Sequence, residues 1–401
     1  MALLLLLPAA VAAAAVVDVA VDASGGGEPL VHKWKRSFGS GHASLTLRDD
    51  WRAQATQAAD ELGMAGVRYH GMFGDDMGPV VSAPGVYNFT QIESTWDFLH
   101  GAKIKPVVEL SFMPAVLANC AWHGHCIKNP VGCQGYACWR GDCKTVGGTP
   151  GFPPVVNPSA PACHAKEFHY QGIKQLPAVM EDWYQLVRAT VAHAVQRYGL
   201  AEVQTWSFEV WNELWGIDFP GTAEKPGYMQ LYNASARAVK DVDPSLKVGG
   251  PATAGLDNLP AFVAACASLG LPKPDFVSSH HYPSDGKSGP TPMQQACPSK
   301  QGWDPNCWHT QVKAAAASVA PLPFLLTEYN VGCCLGYPQH ETAAAAAFVF
   351  RAVGELNDFV EMYSYWTFSD VFEEGGLPEV SPSCCIQYPQ FAHTTHTAHT
   401  H

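Results

Sequence analysis

The chain has 401 residues, of which 47% are hydrophobic and 15% charged, and its formal net charge is −12. This length and composition suit one large α/β barrel or two ordinary domains. Only 24 residues are Lys or Arg, and no basic cluster stands out. Nucleic acid and anionic membrane surfaces are therefore not expected partners.

The N-terminus, MALLLLLPAAVAAAA, joins a short apolar run to small residues. This pattern is typical of a secretory signal, although the usual preceding positive charge is missing. The run is also too short and too rich in Ala for a stable membrane span. We predict a signal peptide over residues 1–23 and a Gly-rich linker over 24–31. The expected location is the secretory pathway or the exterior, with no membrane attachment after cleavage.

Thirteen cysteines agree with an oxidising compartment. Six of them crowd a Gly- and Pro-rich stretch over residues 120–163, which predicts a disulfide-pinned loop whose pairing the sequence does not choose. A zinc site is the alternative, but the stretch contains no Cys-x-x-Cys pair. The six residues are Cys120, Cys126, Cys133, Cys138, Cys143 and Cys163. Asn88 and Asn233 begin Asn-x-Ser/Thr tripeptides and are candidate glycosylation sites.

Short apolar runs alternate with longer amphipathic segments along most of the chain. The predicted strands are residues 35–39, 66–69, 105–110, 206–210, 246–249, 276–280, 324–327 and 360–366. The predicted helices are residues 49–62, 92–100, 176–198, 228–242, 259–269, 308–319 and 341–357.

Strands that alternate with helices favour a parallel sheet, and eight such units favour a closed (β/α)8 TIM barrel. A doubly wound open sheet is the alternative, but no glycine-rich phosphate loop follows the first strand. The barrel is predicted over residues 32–380, with the Cys-rich segment inserted after the third strand. Active sites of such barrels lie at the C-terminal ends of the strands.

Two glutamates occupy such strand ends. Glu213 follows the apolar run in WSFEVWNELW, and Glu328 ends the run in FLLTEYN. A lone glutamate at such a position is commonly a helix cap or half of a salt bridge, since an unpaired buried carboxylate is costly. Two of them, each at a strand end, supply the pair of carboxyl groups that glycosidic bond hydrolysis requires.

The chain resembles glycoside hydrolase family 39, which includes β-xylosidases and α-L-iduronidase. Ordered motifs carry the resemblance over roughly residues 32–378. They are FGSG, VRYHG, YNFT, PVVELSFMP, FEVWNE, KVGGP, DFVSSHHY, LTEYN and SYWTFSDVFEE. The resemblance implies a retaining mechanism with Glu213 as general acid/base and Glu328 as nucleophile.

The resemblance also implies a sugar subsite and neither a cofactor nor a metal. Asn212 matches the family's asparagine that contacts the sugar 2-hydroxyl, and Tyr282 or Tyr329 is expected to hold the nucleophile ionised. Core packing is the alternative for each His and for Trp366, and loop capping is the favoured role of Asp75 and Asp76. The implied substrate-binding residues are His70, Asn212, His280, Tyr282, Tyr329, Trp366 and Glu373.

Several features depart from the family pattern. Leu214 follows the acid/base where the family commonly has proline, and Ser279 stands where β-xylosidases often carry Arg. The Cys-rich insertion lies at the active-site face of the predicted barrel. The family continues into an eighth helix and a β-sandwich, whereas residues 381–401 form a low-complexity His/Thr-rich tail. We therefore expect a truncated C-terminus with most of the β-sandwich missing.

The sequence thus predicts a secreted retaining exo-glycosidase of the β-xylosidase type, acting on xylo-oligosaccharides or related glycans. An α-L-iduronidase-like enzyme is the second hypothesis, although a uronic acid favours a basic residue in the pocket. A catalytically impaired sugar-binding barrel is the third. An oligosaccharide is the only partner implied, and the oligomeric state is not determined by the sequence.

Overall fold

The computed structural model describes residues 20, 24–25, 29–78, 80–118, 127–128, 138–139, 172–214, 217–283, 285, 305–332, 339–340 and 342–369. The chain divides into two units, Met1–Val31 and His32–His401, and the few described residues of the first lie in no helix or strand. The predicted signal peptide, most of the Cys-rich insertion, Glu373 and the tail 381–401 lie outside the described residues.

Eight strands form a single parallel sheet in which each strand pairs with the next one along the chain. Each is a short run of mostly buried residues, as expected when both faces of a parallel sheet are covered. The strands are β1 (Phe38–His42), β2 (Gly66–His70), β3 (Lys105–Leu110), β4 (Ser207–Val210), β5 (Lys247–Thr253), β6 (Phe276–His280), β7 (Phe324–Tyr329) and β8 (Met362–Tyr365).

Seven longer helices alternate with these strands. The first begins with two acidic residues, which suit the positive end of the helix dipole, and ends at Gly63 in the left-handed conformation. The helices are α1 (Asp49–Leu62), α2 (Thr90–Gly101), α3 (Met180–Tyr198), α4 (Tyr228–Val242), α5 (Leu259–Ser268), α6 (Pro305–Val319) and α7 (Ala343–Leu356).

Short elements occupy several connections. They are the single-turn helices Ala115–Ala118 and Leu200–Val203, the 3-10 segments Lys33–Arg36, Ala43–Leu47, Asp75–Met77 and Ala254–Leu256, and the antiparallel pairs Val81–Ala83 with Val86–Tyr87 and Ile127–Lys128 with Cys138–Trp139. No helix in the described part of the chain is long and apolar enough to cross a bilayer.

The main core contains large aromatic side chains. Among the described residues six tryptophans are fully buried, so the high aromatic content is explained in good part by the core and says little about sugar binding. They are Trp51, Trp96, Trp183, Trp206, Trp211 and Trp308.

A second group of side chains shows that the sheet curls into a barrel. Val107 of β3 packs in one apolar cluster with Phe276, Leu325 and Met362, which belong to β6, β7 and β8. Because β3 is not paired with any of these strands, the four can meet only across the barrel interior. Glu109 lies two residues after Val107 and therefore faces the same interior, one level nearer the C-terminal ends of the strands.

The barrel closes where β8 meets β1. The Ser364 hydroxyl donates to the Ser37 hydroxyl over 2.9 Å, and the Phe368 amide donates to the carbonyl of Gly39 over 3.1 Å. A Cβ on residue 39 would lie only 2.6 Å from the backbone oxygen of Tyr365, so glycine is needed for the two strands to approach. The eight strands are thus a nearly closed barrel, which confirms the predicted (β/α)8 fold.

All eight predicted strands and seven predicted helices are present, with shifts at their ends. One shift concerns the first strand, which was expected over residues 35–39 but begins at Phe38. Lys33–Arg36 is instead a 3-10 segment. Two of its basic side chains, Lys33 and Arg36, form ion pairs with Glu361. These polar residues favour an exposed turn over a buried strand.

The closure of the barrel predicts that Gly39→Ala destabilises the protein. The added methyl group forces β1 away from Tyr365, and we expect the free energy of unfolding to fall by about 1–3 kcal/mol. Denaturant unfolding followed by circular dichroism measures the change. Gly354→Ala is the matched control: it lies in α7 with nothing within 4 Å of the added carbon, and the helix should become slightly more stable. Equal unfolding midpoints for wild type and Gly39→Ala would contradict the closure described here.

Candidate active site

Glu213 lies just after β4, in a tightly turned segment. The strand ends at Val210, and both Trp211 (φ 74°) and Glu213 (φ 43°) have left-handed backbone conformations. The Glu213 amide donates to the carbonyl of Ala252 over 2.8 Å, which fixes the turn against β5. Such conformations are unfavourable for residues other than glycine and concentrate at functional sites. The side chain is buried, with 6% of its surface exposed.

Glu328 is the penultimate residue of β7 and is also buried. Both of its carboxylate oxygens accept hydrogen bonds from buried donors. The Arg68 guanidinium donates through Nη1 to Oε1 over 2.8 Å, and the Tyr282 hydroxyl donates to Oε2 over 2.8 Å. The carboxylate is therefore held in one orientation from two sides.

The two carboxyl groups meet at the ring of His280. Its Nδ1 lies 3.0 Å from Oε1 of Glu213 and 3.3 Å from Oε1 of Glu328. Burial, together with Arg68 and His70, holds the pKa of His280 well below its usual range, so the ring is neutral. A neutral ring that carries its proton on Nδ1 can donate to the carboxylate oxygens without adding a charge.

The same three side chains are a possible cation site. Ligand atoms of Glu213, His280 and Glu328 all lie within 4.8 Å of one another. The Arg68 guanidinium, 2.8 Å from Glu328, disfavours a second positive charge there. The arrangement therefore suits a pair of reacting carboxyl groups better than a metal.

Arg68 is fully buried and contacts three carboxylates. Its Nε donates to Glu209 over 2.6 Å, its Nη1 bonds Glu328, and its Nη2 contacts Glu109. Nη2 also donates to Oδ1 of Asn212 over 2.8 Å, so one guanidinium positions the residue next to Glu213 as well. Burial alone would lower the pKa of Arg68, but the three carboxylates raise it, and the group stays charged.

The electrostatic environment of Glu328 combines opposing influences. Burial raises the pKa of Glu328 to about 7, and the nearby Glu209 acts in the same direction. Arg68 and the Tyr282 hydroxyl oppose this rise by stabilising the ionised form. Glu328 therefore changes its protonation state close to neutral pH.

Aromatic rings line the same end of the barrel. The rings of His70 and Trp366 stack with their centroids 5.3 Å apart, and Trp366 packs against Tyr282. Asn330 donates to the backbone oxygen of Trp366 over 2.8 Å, which anchors the end of β8. Trp366 is largely buried, with 8% of its surface exposed.

The structure thus brings together most of the residues that the sequence singled out. Those that it gathers around the carboxyl pair are His70, Asn212, Glu213, His280, Tyr282, Glu328 and Trp366. Glu373 lies outside the described residues.

Tyr329 is not part of this group. Its ring packs outside the barrel against Trp308, Phe348 and Tyr363. Consecutive residues of a strand face opposite sides, so Tyr329 must point away from the interior that Glu328 faces. The hydroxyl that contacts Glu328 belongs to Tyr282, which was the other expected candidate.

Two further positions have structural contacts. Asp75 accepts a hydrogen bond of 3.0 Å from the amide of Ala115, the first residue of a short helix after β3, whereas the role favoured from the sequence was to cap the loop after the second strand. The side chain of Asp76 lies outside the described residues. Ser279 donates to the carbonyl of Thr253 over 2.6 Å, so this position ties β6 to β5.

Sequence reasoning assigned no role to Arg68, Glu109 or Glu209, although all three lie inside quoted motifs. Their signal was present in the strands themselves. Each is the one Arg or Glu in a short strand of mainly apolar and aromatic residues, in VRYH, VVEL and SFEV. A charge at such a position is tolerated only when it is paired, so three of them predict a mutual contact.

Comparison with known proteins places the chain in a family. The family model of glycosyl hydrolases family 39 matches residues 17–139 and 148–387. A β-xylosidase of Caldicellulosiruptor saccharolyticus is 36% identical to this chain, and the match covers 86% of this chain and 62% of the relative. A β-xylosidase of Geobacillus stearothermophilus is 33% identical, and the match covers 89% of this chain and 64% of the relative. The solved structure of a GH39 β-xylosidase from Caulobacter crescentus covers 88% of this chain and 67% of that chain, with 28% identity and a TM-score of 0.65.

The chain therefore spans less than two thirds of the length of these two curated relatives. The match nevertheless extends across the barrel, from its first strand to its last. With the motifs, the fold and the paired carboxyl groups in agreement, the chain belongs to glycosyl hydrolases family 39.

Proposed function

We propose that this protein is a retaining β-xylosidase-type glycosidase, with Glu328 as nucleophile and Glu213 as general acid/base. The observation that carries the proposal is the approach of the two carboxyl groups, whose ligand oxygens lie within 4.8 Å of each other beside His280. Retaining enzymes hold these groups about 5–5.5 Å apart, whereas inverting enzymes need about 6.5–9.5 Å to admit a water. The observed approach favours retention.

In the first step Glu328 attacks the anomeric carbon while Glu213 protonates the leaving oxygen. The bond to the leaving group breaks as the bond to the Glu328 oxygen forms, which gives a covalent glycosyl-enzyme. In the second step Glu213, now a carboxylate, removes a proton from water. The water attacks the same carbon, and Glu328 leaves.

The surrounding side chains support these roles. Arg68 and Tyr282 donate to opposite oxygens of Glu328 and so keep a reactive carboxylate oriented. Neutral His280 orients Glu213 without lending it a fixed positive charge. Asn212 is held by Arg68 through its oxygen, which leaves its amide group to meet the sugar 2-hydroxyl.

Xylose is the sugar that we favour, because two relatives described as β-xylosidases match most of this chain. An iduronate would need a cation for its carboxylate. Arg68 is already engaged by Glu109, Glu209 and Glu328, and residue 279 is a serine bonded to the backbone. The α-L-iduronidase-like alternative is therefore the weaker one. The binding-only alternative is weaker for another reason, since binding alone does not need two facing carboxyl groups.

We further propose secretion, which the apolar leader and the cysteine content support. If the chain enters the secretory pathway, Asn88 is the better glycan acceptor of the two candidates, since it is exposed just before α2. Asn233 lies within α4, and the Ser235 of its tripeptide is fully buried and accepts a hydrogen bond from Trp183.

The nucleophile assignment predicts that Glu328→Ala hydrolyses p-nitrophenyl β-D-xyloside about 10⁴-fold or more slowly than wild type. Losses of this size are seen when enzymes that form covalent intermediates lose their nucleophile. Azide should restore p-nitrophenol release and yield α-xylosyl azide, because it attacks from the vacated side. In Glu213→Ala, azide should instead trap the glycosyl-enzyme and give the β-azide. NMR of the azide products gives their stereochemistry. A β-azide from Glu328→Ala and an α-azide from Glu213→Ala would reverse the two roles.

The acid role predicts a leaving-group dependence for Glu213→Gln. An alkyl or disaccharide leaving group needs the proton, so its hydrolysis should fall by roughly 10²–10⁴-fold. A 2,4-dinitrophenyl xyloside needs no proton and should form the glycosyl-enzyme nearly as fast as with wild type, giving a burst. Stopped-flow absorbance measures both rates. An equal loss for the two leaving groups would argue against Glu213 as the acid.

The environment of Glu328 predicts a pH effect. Because this carboxyl must be ionised to attack and its pKa is about 7, kcat/KM should fall as the pH drops below about 7. Tyr282→Phe removes a donor to the ionised form, so the midpoint should move to higher pH by about one unit. Tyr329→Phe is the matched control, since its ring packs outside the barrel. Similar shifts in the two variants, measured by pH-rate profiles, would contradict this arrangement.

A further inference from the structure

Tyr282 lies where the backbone pairing between β6 and β7 ends. The amide of His281 donates to the carbonyl of Glu328 over 3.1 Å, so the pairing continues for one residue beyond β6. The next amide, that of Tyr282, donates instead to Oδ2 of Asp285 over 2.9 Å. The Asp285 amide returns a hydrogen bond of 3.0 Å to the carbonyl of Tyr282. One residue therefore fixes the backbone of Tyr282 on both sides.

The Asp285 carboxylate is itself held by the ring of His281. Nδ1 of this ring lies 3.3 Å from the same Oδ2 atom, and Nε2 lies 2.7 Å from Oε1 of Gln311 on α6. His281 is buried, and its ring stacks on Trp308 with 8° between the ring planes. The Trp308 indole also donates to the carbonyl of His281 over 3.1 Å. Asp285 is therefore anchored to α6 through a buried and well-packed side chain.

The other end of Tyr282 lies in the active site. Its hydroxyl donates to Oε2 of Glu328 over 2.8 Å, and its ring packs against Trp366. Hydrogen bonds of this kind need about 2.5–3.0 Å between the two oxygens and weaken when the angle departs from linearity. The hydroxyl is the atom farthest from the backbone, so a small rotation of the Tyr282 backbone is enough to weaken this bond.

We propose that Asp285 is a positioning residue that, held by His281, fixes the backbone of Tyr282 and so keeps the Tyr282 hydroxyl on Glu328. Within the described part of the chain, the hydrogen bonds of Asp285 are to His281 and Tyr282, so it acts on Glu328 through Tyr282. The importance of this role for turnover rests on the proposed function, in which Glu328 attacks as a carboxylate. The placement of the hydroxyl does not rest on it, because Glu328 ionises with or without a substrate.

The charges around Glu328 give the test a distinctive sign. Loss of the Tyr282 hydrogen bond raises the pKa of Glu328, because that bond stabilises the ionised form. Removal of the negative charge of Asp285 acts in the opposite direction, since a nearby anion disfavours ionisation. An upward shift therefore reports a displaced hydroxyl and not the lost charge. The groups that face Glu328 are Arg68, Glu109, Glu209, Glu213, His280 and Tyr282.

The test is the midpoint of the acid limb of kcat/KM for xyloside hydrolysis by the whole chain. Asp285→Ala removes the acceptor of the Tyr282 amide, so the midpoint should move to higher pH by about 0.5–1 unit. His281→Phe keeps a ring on Trp308 but loses the contact with Asp285, and its midpoint should move in the same direction. When Tyr282→Phe and Asp285→Ala are combined, the midpoint should rise no further than in Tyr282→Phe alone, because no hydroxyl remains to be displaced.

Two control variants separate this role from a general loss of structure. Asp285→Asn removes the charge but keeps an oxygen for the Tyr282 amide, so its midpoint should not rise. Asp275 lies just before β6, at the opposite end of the barrel, and accepts the amide of Val248 over 2.8 Å. Asp275→Ala should therefore lower the unfolding midpoint in denaturant but leave the acid limb in place.

Carbon-13 NMR of protein labelled at the glutamate side-chain carboxyl carbons follows Glu328 without turnover, its signal being identified by its loss in Glu328→Gln. An unchanged or lowered midpoint in Asp285→Ala or His281→Phe would overturn the proposal. Additive shifts in the combined variant would also overturn it, since Asp285 would then act independently of Tyr282. Absence of xyloside hydrolysis in folded wild type would instead count against the proposed function, and the NMR midpoints would then decide the role of Asp285.

Discussion

The active site depends on one buried cation. Arg68 sits inside the barrel and reaches Glu109 on β3, Glu209 on β4 and Glu328 on β7, as well as Asn212 beyond β4. Removing one member of a buried ion pair typically costs about 3–5 kcal/mol of stability, because the other member is left as a buried charge with neither a partner nor water to stabilise it. The strands that carry these residues therefore cannot slide or separate without a large penalty, and the positions of Asn212 and Glu328 follow from that constraint.

The same burial makes the site chemically responsive. Burial raises the pKa of Glu328 to about 7 even though Arg68 and Tyr282 lower it, and away from bulk water each neighbouring charge acts strongly on this carboxyl group. His280 meets the carboxyl groups of both Glu213 and Glu328 yet stays neutral because it is buried near Arg68. A charged histidine there would strongly favour the ionised forms of Glu213 and Glu328. An acid/base residue must instead be able to take up a proton and release it again.

Local sequence patterns were sufficient for the barrel and for its two strand-end glutamates, while the other site residues were expected from the family resemblance. Apolar runs and amphipathic segments located all eight strands and seven helices, and the strand ends located Glu213 and Glu328, whereas His280 was expected from the family resemblance. The alternation of a strand could also have excluded Tyr329, which is next to Glu328 and must face the opposite side. What the patterns do not contain is distance: Arg68 and Glu328 are 260 positions apart, and only barrel closure brings them into contact.

The interior of the barrel also explains why its charged residues were overlooked. In a parallel sheet covered on both faces, strands have no polar side, so an isolated charge in VRYH or VVEL looks like an interruption and not like part of a pattern. The interior is instead ordered by height. Val107, Phe276, Leu325 and Met362 fill the lower level, and Glu109 begins a charged level two residues above Val107. These four side chains, which form an apolar plug, lie below buried charges, and the stacked rings of His70 and Trp366 lie at the same end of the barrel as the site. A polar substitution in the plug would therefore act on the chemistry from a distance, by admitting water to the charges that set the reactivity of Glu328.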